Sequence, residues 1–270
     1  MYRSQLNTTY SLTPAQIDNF KENQFIKLKD VFSEEVLMHY RTIIANKVKE
    51  LSTQDIPLSE RDTYSKAFLQ IMNVWTEDDS VKEFVFSTRL AQIATELMGV
   101  SGVRMYHDQA LFKEPGGGYT PWHADQYYWP LSNDNTITAW IPMQATPLSM
   151  GPLEFSAKSY QLQGGRDLKI SADSEQVISK KLRMGDFEQV VEPFDIGEVS
   201  FHSGWLFHRA GPNATEQMRQ VMTVIYMDEN MKLKAPQNEN QQNDWDTWCP
   251  EAKIGEQIAT PLNPILYTRD

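Results

Sequence analysis

Apolar residues recur at helical spacing through the first hundred positions of the chain, then give way after Gly102 to short alternating runs. In Leu12-Thr13-Pro14-Ala15-Gln16-Ile17-Asp18-Asn19-Phe20, Thr13 is the expected N-cap, Pro14 the first helical residue, and Ile17 and Phe20 share a face; this helix should end near Asn23. Phe25 to Leu28 alternates like a strand. Ser33 then opens a second helix with Val36, Leu37, Tyr40, Ile43, Ile44 and Val48 on one side, and a further helix is expected over 80–98. Beyond Gly102 the runs 103–113, 136–145, 152–156, 197–203, 205–209 and 219–228 are separated by Gly, Pro and Asn clusters. Many short strands punctuated in this way predict a sandwich or barrel of the jelly-roll kind, mainly β with α, buttressed by N-terminal helices. No linker divides the chain, so 1–270 is expected to be one catalytic domain: a helical buttress with one or two strands (1–100), a jelly-roll core (101–230) and a tail that docks on it (231–270).

Two stretches break the strand pattern. Residues 157–195 are polar and too long for a hairpin loop, which predicts a covering insertion or a mobile lid. Residues 235–250 are rich in Asn and Gln and look disordered by composition, yet Trp245, Trp248, Leu262, Ile265, Leu266 and Tyr267 argue for docking. Charge narrows the partners: 25 basic against 36 acidic side chains give a net charge of −11, with no basic run longer than Lys180-Lys181. Nucleic acid and anionic membrane are therefore not expected partners. The single cysteine, Cys249, cannot form an intrachain disulfide, and the N-terminus has no signal-peptide apolar core. A soluble, reduced, cytoplasmic protein is expected. Its partner is expected to be a small-molecule substrate, with association into a homodimer left open.

His123 and Asp125 are two apart, so on extended chain both side chains point to one side and can grip one ion. Alone the pair is weak, since a surface turn with a solvated carboxylate looks the same. The segment from Gly197 to Arg219 changes the odds, because a strand-end His208, a Gly and Asn turn and then Arg219 place imidazole and guanidinium on neighbouring strands. Two imidazoles and a carboxylate can hold ferrous iron and leave a face open, and Arg suits a bidentate grip on the far carboxylate of a keto-diacid. His202, six residues before His208, competes for the third position; on its apolar strand it reads as a satisfied core residue. His107 is placed to line the pocket and His39 to be structural. Trp122, Tyr127, Tyr128 and Trp129 serve equally well as core or as pocket wall, and Arg104, Lys113 and Arg209 read most simply as solvated charges.

The spacing His123-x-Asp125, His208-x-x-Gly211-x-Asn213 and Arg219 resembles the phytanoyl-CoA dioxygenase family of Fe(II)/2-oxoglutarate oxygenases. So do the opening from Phe20 to Ser33 and the run Lys113-Glu-Pro-Gly-Gly-Gly with Pro121-Trp122-His123, so the likeness runs to about residue 228. The resemblance implies a double-stranded β-helix, a cupin-like jelly-roll variant. It implies that His123, Asp125 and His208 bind Fe(II), that Arg219 binds the distal carboxylate of 2-oxoglutarate, and that O2 is the second co-substrate. Trp140 matches an aromatic beside that co-substrate, and Gln109 falls where relatives have a polar or Met side chain. Ala210 departs from the Ser of some members, a hydroxyl that Thr223 is placed to supply. Because halogenating relatives replace the carboxylate with a small residue, Asp125 points to hydroxylation of an unactivated C–H bond in a small metabolite, with release of succinate and CO2. With no basic patch for its phosphates, a CoA thioester is less expected than a free metabolite. A metal-dependent cupin-like hydrolase or isomerase leaves Arg219 without a purpose, and a non-catalytic binding module leaves the ligand set without one.

Overall fold

The computed structural model describes residues 2–269, without the side chains of Tyr2, Thr63 and Tyr64. The N-terminal part holds helices α1 (Tyr2–Leu6) and α2 (Pro14–Asn23), strand β1 (Phe25–Leu28), α3 (Glu34–Leu51), α4 (Thr63–Ala67), β2 (Leu69–Met72), α5 (Asp79–Val85) and α6 (Thr88–Met98). The core follows with β3 (Gly102–Lys113), β4 (Thr120–His123), β5 (Thr136–Pro142), β6 (Leu153–Ser156), α7 (Ala172–Met184), β7 (Gln189–Val191), β8 (Val199–Ser203), β9 (His208–Ala210) and β10 (Arg219–Asp228). Helix α8 (Glu239–Trp248) and β11 (Ile265–Thr268) end the chain.

Capping chemistry sets the helix starts. The Thr13 side chain accepts from the Gln16 N–H in a capping box, Pro14 opens α2, and Gln24 in the left-handed region closes it after Asn23. Ser33 caps α3 by accepting from the Val36 N–H, and Val36, Leu37, Tyr40, Ile44 and Val48 form its buried face. The single helix expected over 80–98 is two. Ser87 has extended ψ and caps α6 by accepting from the Leu90 N–H, while its hydroxyl donates to the Leu6 carbonyl at 2.8 Å. A buried polar cap with a distant partner overrides continuous helical spacing.

Two antiparallel sheets face each other. The larger has the order β1-β8-β5-β10-β3-β11 with β2 also on β3, and the smaller runs β4-β9-β6-β7. This is the jelly-roll architecture. Alternation sends Val199 and Phe201 of β8, Ile137, Ala139 and Ile141 of β5, and Met222, Val224 and Tyr226 of β10 into one core with α3, α5 and α6. The other set of side chains on these strands faces the smaller sheet, which is where the chemistry collects. On β3 the register shifts opposite Ile225 and Tyr226. Val103 and Met105 pack in the helical core before that bulge, whereas His107, Gln109 and Leu111 line a cavity after it.

Residues 157–195 contain α7 and β7, and α7 lies against β4. The Trp122 N–H donates to Glu175 Oε2 at 2.8 Å, and Ser174 Oγ donates to the Trp122 carbonyl at 3.1 Å. Residues 239–248 form α8, capped by Asn238 accepting from the Gln241 N–H. The disordered look of 235–250 came from polar composition alone and is corrected by this helix. Among the described residues no helix is long and apolar enough to cross a membrane.

Candidate metal centre and its cavity

A cavity of about 430 Å³ opens between the sheets, and His123, Asp125, His202, His208 and Arg219 all line it. His123 ends β4, Asp125 starts the 3-10 turn Asp125–Tyr128, and His208 starts β9, paired in register with His123. Among the described residues these three form the one group of His, Cys, Asp or Glu side chains arranged for a metal, their ligand atoms all within 4.8 Å of one another. His123 Nε2 lies 3.5 Å and His208 Nε2 3.7 Å from Asp125 Oδ1.

The ring tautomers follow from the neighbours. His123 Nδ1 is 2.7 Å from the Pro121 carbonyl and His208 Nδ1 is 3.0 Å from the Leu206 carbonyl. A carbonyl only accepts, so each Nδ1 carries the proton and each Nε2 presents a lone pair toward Asp125. Burial, reinforced by the neighbouring His123 and His202, holds His208 well below its ordinary pKa, which keeps that lone pair free. Burial opposes charge on Asp125, yet the surrounding imidazoles of His208, His123 and His202 hold it well below the ordinary carboxylate range. Two neutral imidazoles and a carboxylate converging on one point fit a divalent first-row metal with open positions, the donor set preferred by non-heme Fe(II).

Asp125 is oriented by its surroundings. Thr138 Oγ1 donates to Oδ2 at 3.1 Å, and the Gln126 N–H fixes the turn on the Gly204 carbonyl at 2.9 Å. Thr138→Val keeps the shape and removes that donor, so Fe(II) affinity is expected to fall roughly tenfold, at the low end for an outer-shell partner. Anaerobic Fe(II) titration of the folded variant checks this, and unchanged affinity would show the hydroxyl to be idle.

His202 is not a satisfied core residue. The alternation of β8 turns Phe201 toward the helices and His202 into the cavity, where neither ring nitrogen has a hydrogen-bond partner among the described residues. Its Nε2 stands 3.4 Å from Asp125 Oδ2, and its ring centroid is 4.3 Å from that of His208. The apolar neighbours that made it look structural belong to the opposite face of the strand.

Arg219 opens β10, is 2% exposed, and donates Nη1 to the Gly151 carbonyl, while its Nε has no partner among the described residues. Its guanidinium lies 5.5 Å over the Trp140 ring, and burial lowers its pKa with no acidic side chain to oppose it. Gly151 has φ +68°, and a Cβ there would come within 2.2 Å of the Gly211 carbonyl oxygen, so the acceptor of Arg219 depends on glycine. A buried cation with an orphaned N–H beside a cavity is set up for an anionic ligand. Lys113, in register with Arg219 across the sheet, is fully buried and donates to the Gly118 and Gly211 carbonyls at 2.7 Å each. Burial first, and the Arg219 charge second, push it down to about 6.

The other residues singled out from the sequence divide. Gln109, Trp140 and Thr223 line the cavity, with Gln109 Oε1 accepting from Gln70 at 2.7 Å and Thr223 Oγ1 donating to the Gln109 carbonyl at 3.2 Å. His107, Tyr128 and Trp129 line it too, whereas Trp122 is buried beside α7 under the Arg209 guanidinium. Arg104, Lys113 and Arg209 are not the solvated charges expected. Arg104 donates to the Glu229 and Asn263 carbonyls, Arg209 is held by Glu154 and Glu175, and Lys113 is sealed between strands. Asn240, Asn243, Asp244 and Trp248 of α8 also line the cavity and were missed. Their spacing along one helix face was the available signal, hidden by the low-complexity look of the segment.

Comparison with known proteins places this geometry. Residues 20–221 match the phytanoyl-CoA dioxygenase (PhyH) family. The chain is 20% identical over 224 residues to a probable alpha-ketoglutarate-dependent hypophosphite dioxygenase of Stutzerimonas stutzeri, covering 77% of this chain and 76% of that protein. It is 24% identical over 233 residues to a methylphosphonate hydroxylase of Gimesia maris (strain ATCC 29201 / DSM 8797 / 534-30), covering 82% of each. A crystal structure of a non-heme alpha ketoglutarate dependent carbocyclase from nogalamycin biosynthesis superposes with a TM-score of 0.77 at 20% identity, covering 96% of this chain and 98% of that one, a likeness of fold.

Proposed function

The chain belongs to the phytanoyl-CoA dioxygenase family and is an Fe(II)- and 2-oxoglutarate-dependent oxygenase; we propose that it hydroxylates an unactivated C–H bond of a small metabolite. His123, Asp125 and His208 would hold the iron and Arg219 the distal carboxylate of 2-oxoglutarate. The observation that carries this reading is the presence of both the ligand triad and a buried, half-satisfied Arg219 on the walls of one cavity. When bound, the iron centre couples dioxygen reduction to decarboxylation of 2-oxoglutarate, so that one oxygen atom enters succinate and the other the substrate hydroxyl.

The protein's own share is placement. Arg219 offers a free N–H and a delocalised cation to a carboxylate, and Trp140 beneath it limits where that carboxylate can sit. Thr138 and the Gln126 turn hold Asp125 in one orientation. Leu111, Leu153 and Ala210 make part of the wall apolar, which excludes water from the reacting groups. Asp125 supports hydroxylation over halogen transfer, since halogenating relatives carry a small residue at that position. A hydrolase or isomerase using the metal as a Lewis acid leaves the Arg219 site without a task.

Succinate formation from 2-oxoglutarate is expected with added Fe(II), slow without substrate and faster with the right metabolite, and it should stop on chelation. Mass spectrometry of products under 18O2 checks the finer claim, with label expected in the substrate hydroxyl. Succinate release without label in any product, or with a ring-closed or epimerised product, would replace hydroxylation by another outcome of the same centre.

A further inference from the structure

The cavity is charged unevenly. Arg219 and Ile225 are six residues apart on β10, and Ile225 is in register with His107, so Arg219 and His107 stand roughly 20 Å apart along the sheet. Near His107 the wall is made by α8, whose Asn240, Asn243, Asp244 and Trp248 fall at i, i+3, i+4 and i+8 and share one face. The helix is pinned: Asn240 Nδ2 donates to Tyr127 Oη at 3.1 Å, Gln241 Nε2 to the Tyr127 carbonyl at 3.0 Å, and the Trp248 ring lies 5.0 Å from His107.

Asp244 is buried on this wall, and among the described residues no Lys or Arg pairs with it. Its carboxyl accepts from Tyr106 Oη at 3.3 Å, and burial pushes it up to about 7 against hydrogen bonds from Tyr106 and Trp248. His107, 2% exposed and with Nδ1 unpartnered, adds no positive charge, because burial pushes it down to about 4. Among the described residues lining the cavity, Arg219 is the only Lys or Arg. An oxyanion therefore finds no counter-charge at this end. A cation finds a buried carboxyl that lacks one, together with the aromatic side chains of Tyr128, Trp129 and Trp248.

We propose that the substrate carries a protonated amine, which Asp244 binds while Asn240 and Asn243 accept its remaining hydrogen bonds. The inference rests on the oxygenase reading above and names the substrate class of the same site. It also makes α8 the specificity element of this chain.

The test compares probes of one skeleton, cyclohexylamine, cyclohexanol and cyclohexanecarboxylate, with methylamine and butylamine as smaller amines and methylphosphonate as a second anion. Each is titrated calorimetrically into the full-length protein loaded with Mn(II) and 2-oxoglutarate at neutral pH. At least one amine is expected to bind, with cyclohexylamine or a smaller amine at least about tenfold tighter than cyclohexanol, the scale of a charge-assisted hydrogen bond. Neither anion should bind measurably. Asp244→Asn should erase the amine advantage, and Asn243→Asp, which adds a second carboxylate to the same face, should increase it. Binding of either anion as tight as that of the amines, binding by no amine, or an amine advantage intact in Asp244→Asn overturns the proposal. Should Asp244→Asn fail to fold, the wild-type ranking and Asn243→Asp decide. Succinate formation by the wild-type Fe(II) protein without any probe separates the two readings. Its absence with and without probes overturns the oxygenase reading, whereas its presence with the probe ranking reversed overturns the amine assignment alone.

Discussion

Asp125→Ala is expected to abolish succinate formation and to lower Fe(II) affinity by at least about a thousandfold, beyond the 10–100-fold usual for an outer-shell partner. The carboxylate is the only anion in the ligand set, so its loss removes charge balance for a divalent ion as well as a donor atom. The fold should tolerate the change. Ala removes the Thr138 contact and the anion among the imidazoles, whereas the β4–β9 pairing that places His123 and His208 is made by the backbone. Thermal unfolding of the metal-free variant should remain a single cooperative transition, at or modestly below that of the wild type because the fold favours the ionised Asp125, and this separates a metal-site effect from misfolding. Anaerobic Fe(II) titration and succinate assay make the measurement. Retained iron binding would mean that another donor completes the set. His202, 3.4 Å from the far oxygen of Asp125, is the side chain in position, and Asp125→Ala combined with His202→Ala would then lose the metal.

The difference between what could and could not be read from sequence follows from how locally each feature is determined. Thr13, Pro14 and Ser33 act within one turn, so the starts of α2 and α3 were legible. The β10 strand and the ends of β3 were legible too, because alternation is a property of neighbours. The pairing of His123 with His208 was inferable only through the resemblance, since β4 and β9 are far apart in the chain. His202 was misread although β8 alternates, because both faces of the strand are buried; only the packing of Val199 and Phe201 against the helices shows that the other face is the cavity. The break at Ser87 depends on a hydrogen bond to Leu6, and Lys113 is held by the carbonyl of nearby Gly118 together with that of distant Gly211, neither of which local composition encodes. In α8 polar composition concealed a helix whose polar face is turned inward to a cavity, the reverse of the usual amphipathic rule.

Arg219→Gln is expected to raise the KM for 2-oxoglutarate by roughly 30- to 5,000-fold, the equivalent of about 2–5 kcal/mol for truncating one partner of a buried charge pair. Gln retains an N–H group for the Gly151 carbonyl but has no charge and no fork to match a carboxylate. Because the interaction is made equally in the bound ground state and in the transition state, kcat at saturating 2-oxoglutarate should fall much less than kcat/KM. Stability provides an independent reading. In the wild type, 2-oxoglutarate with a redox-inert metal should raise the unfolding free energy by about 2.7 kcal/mol at a hundred times its Kd, and the variant at the same concentration should show almost none of that gain. Without 2-oxoglutarate the variant should be at least as stable, since it no longer buries a guanidinium whose Nε has no partner and whose charge depresses Lys113. A variant with unchanged KM would mean that Arg219 is a structural cation. The co-substrate carboxylate would then have to be held elsewhere along the wall.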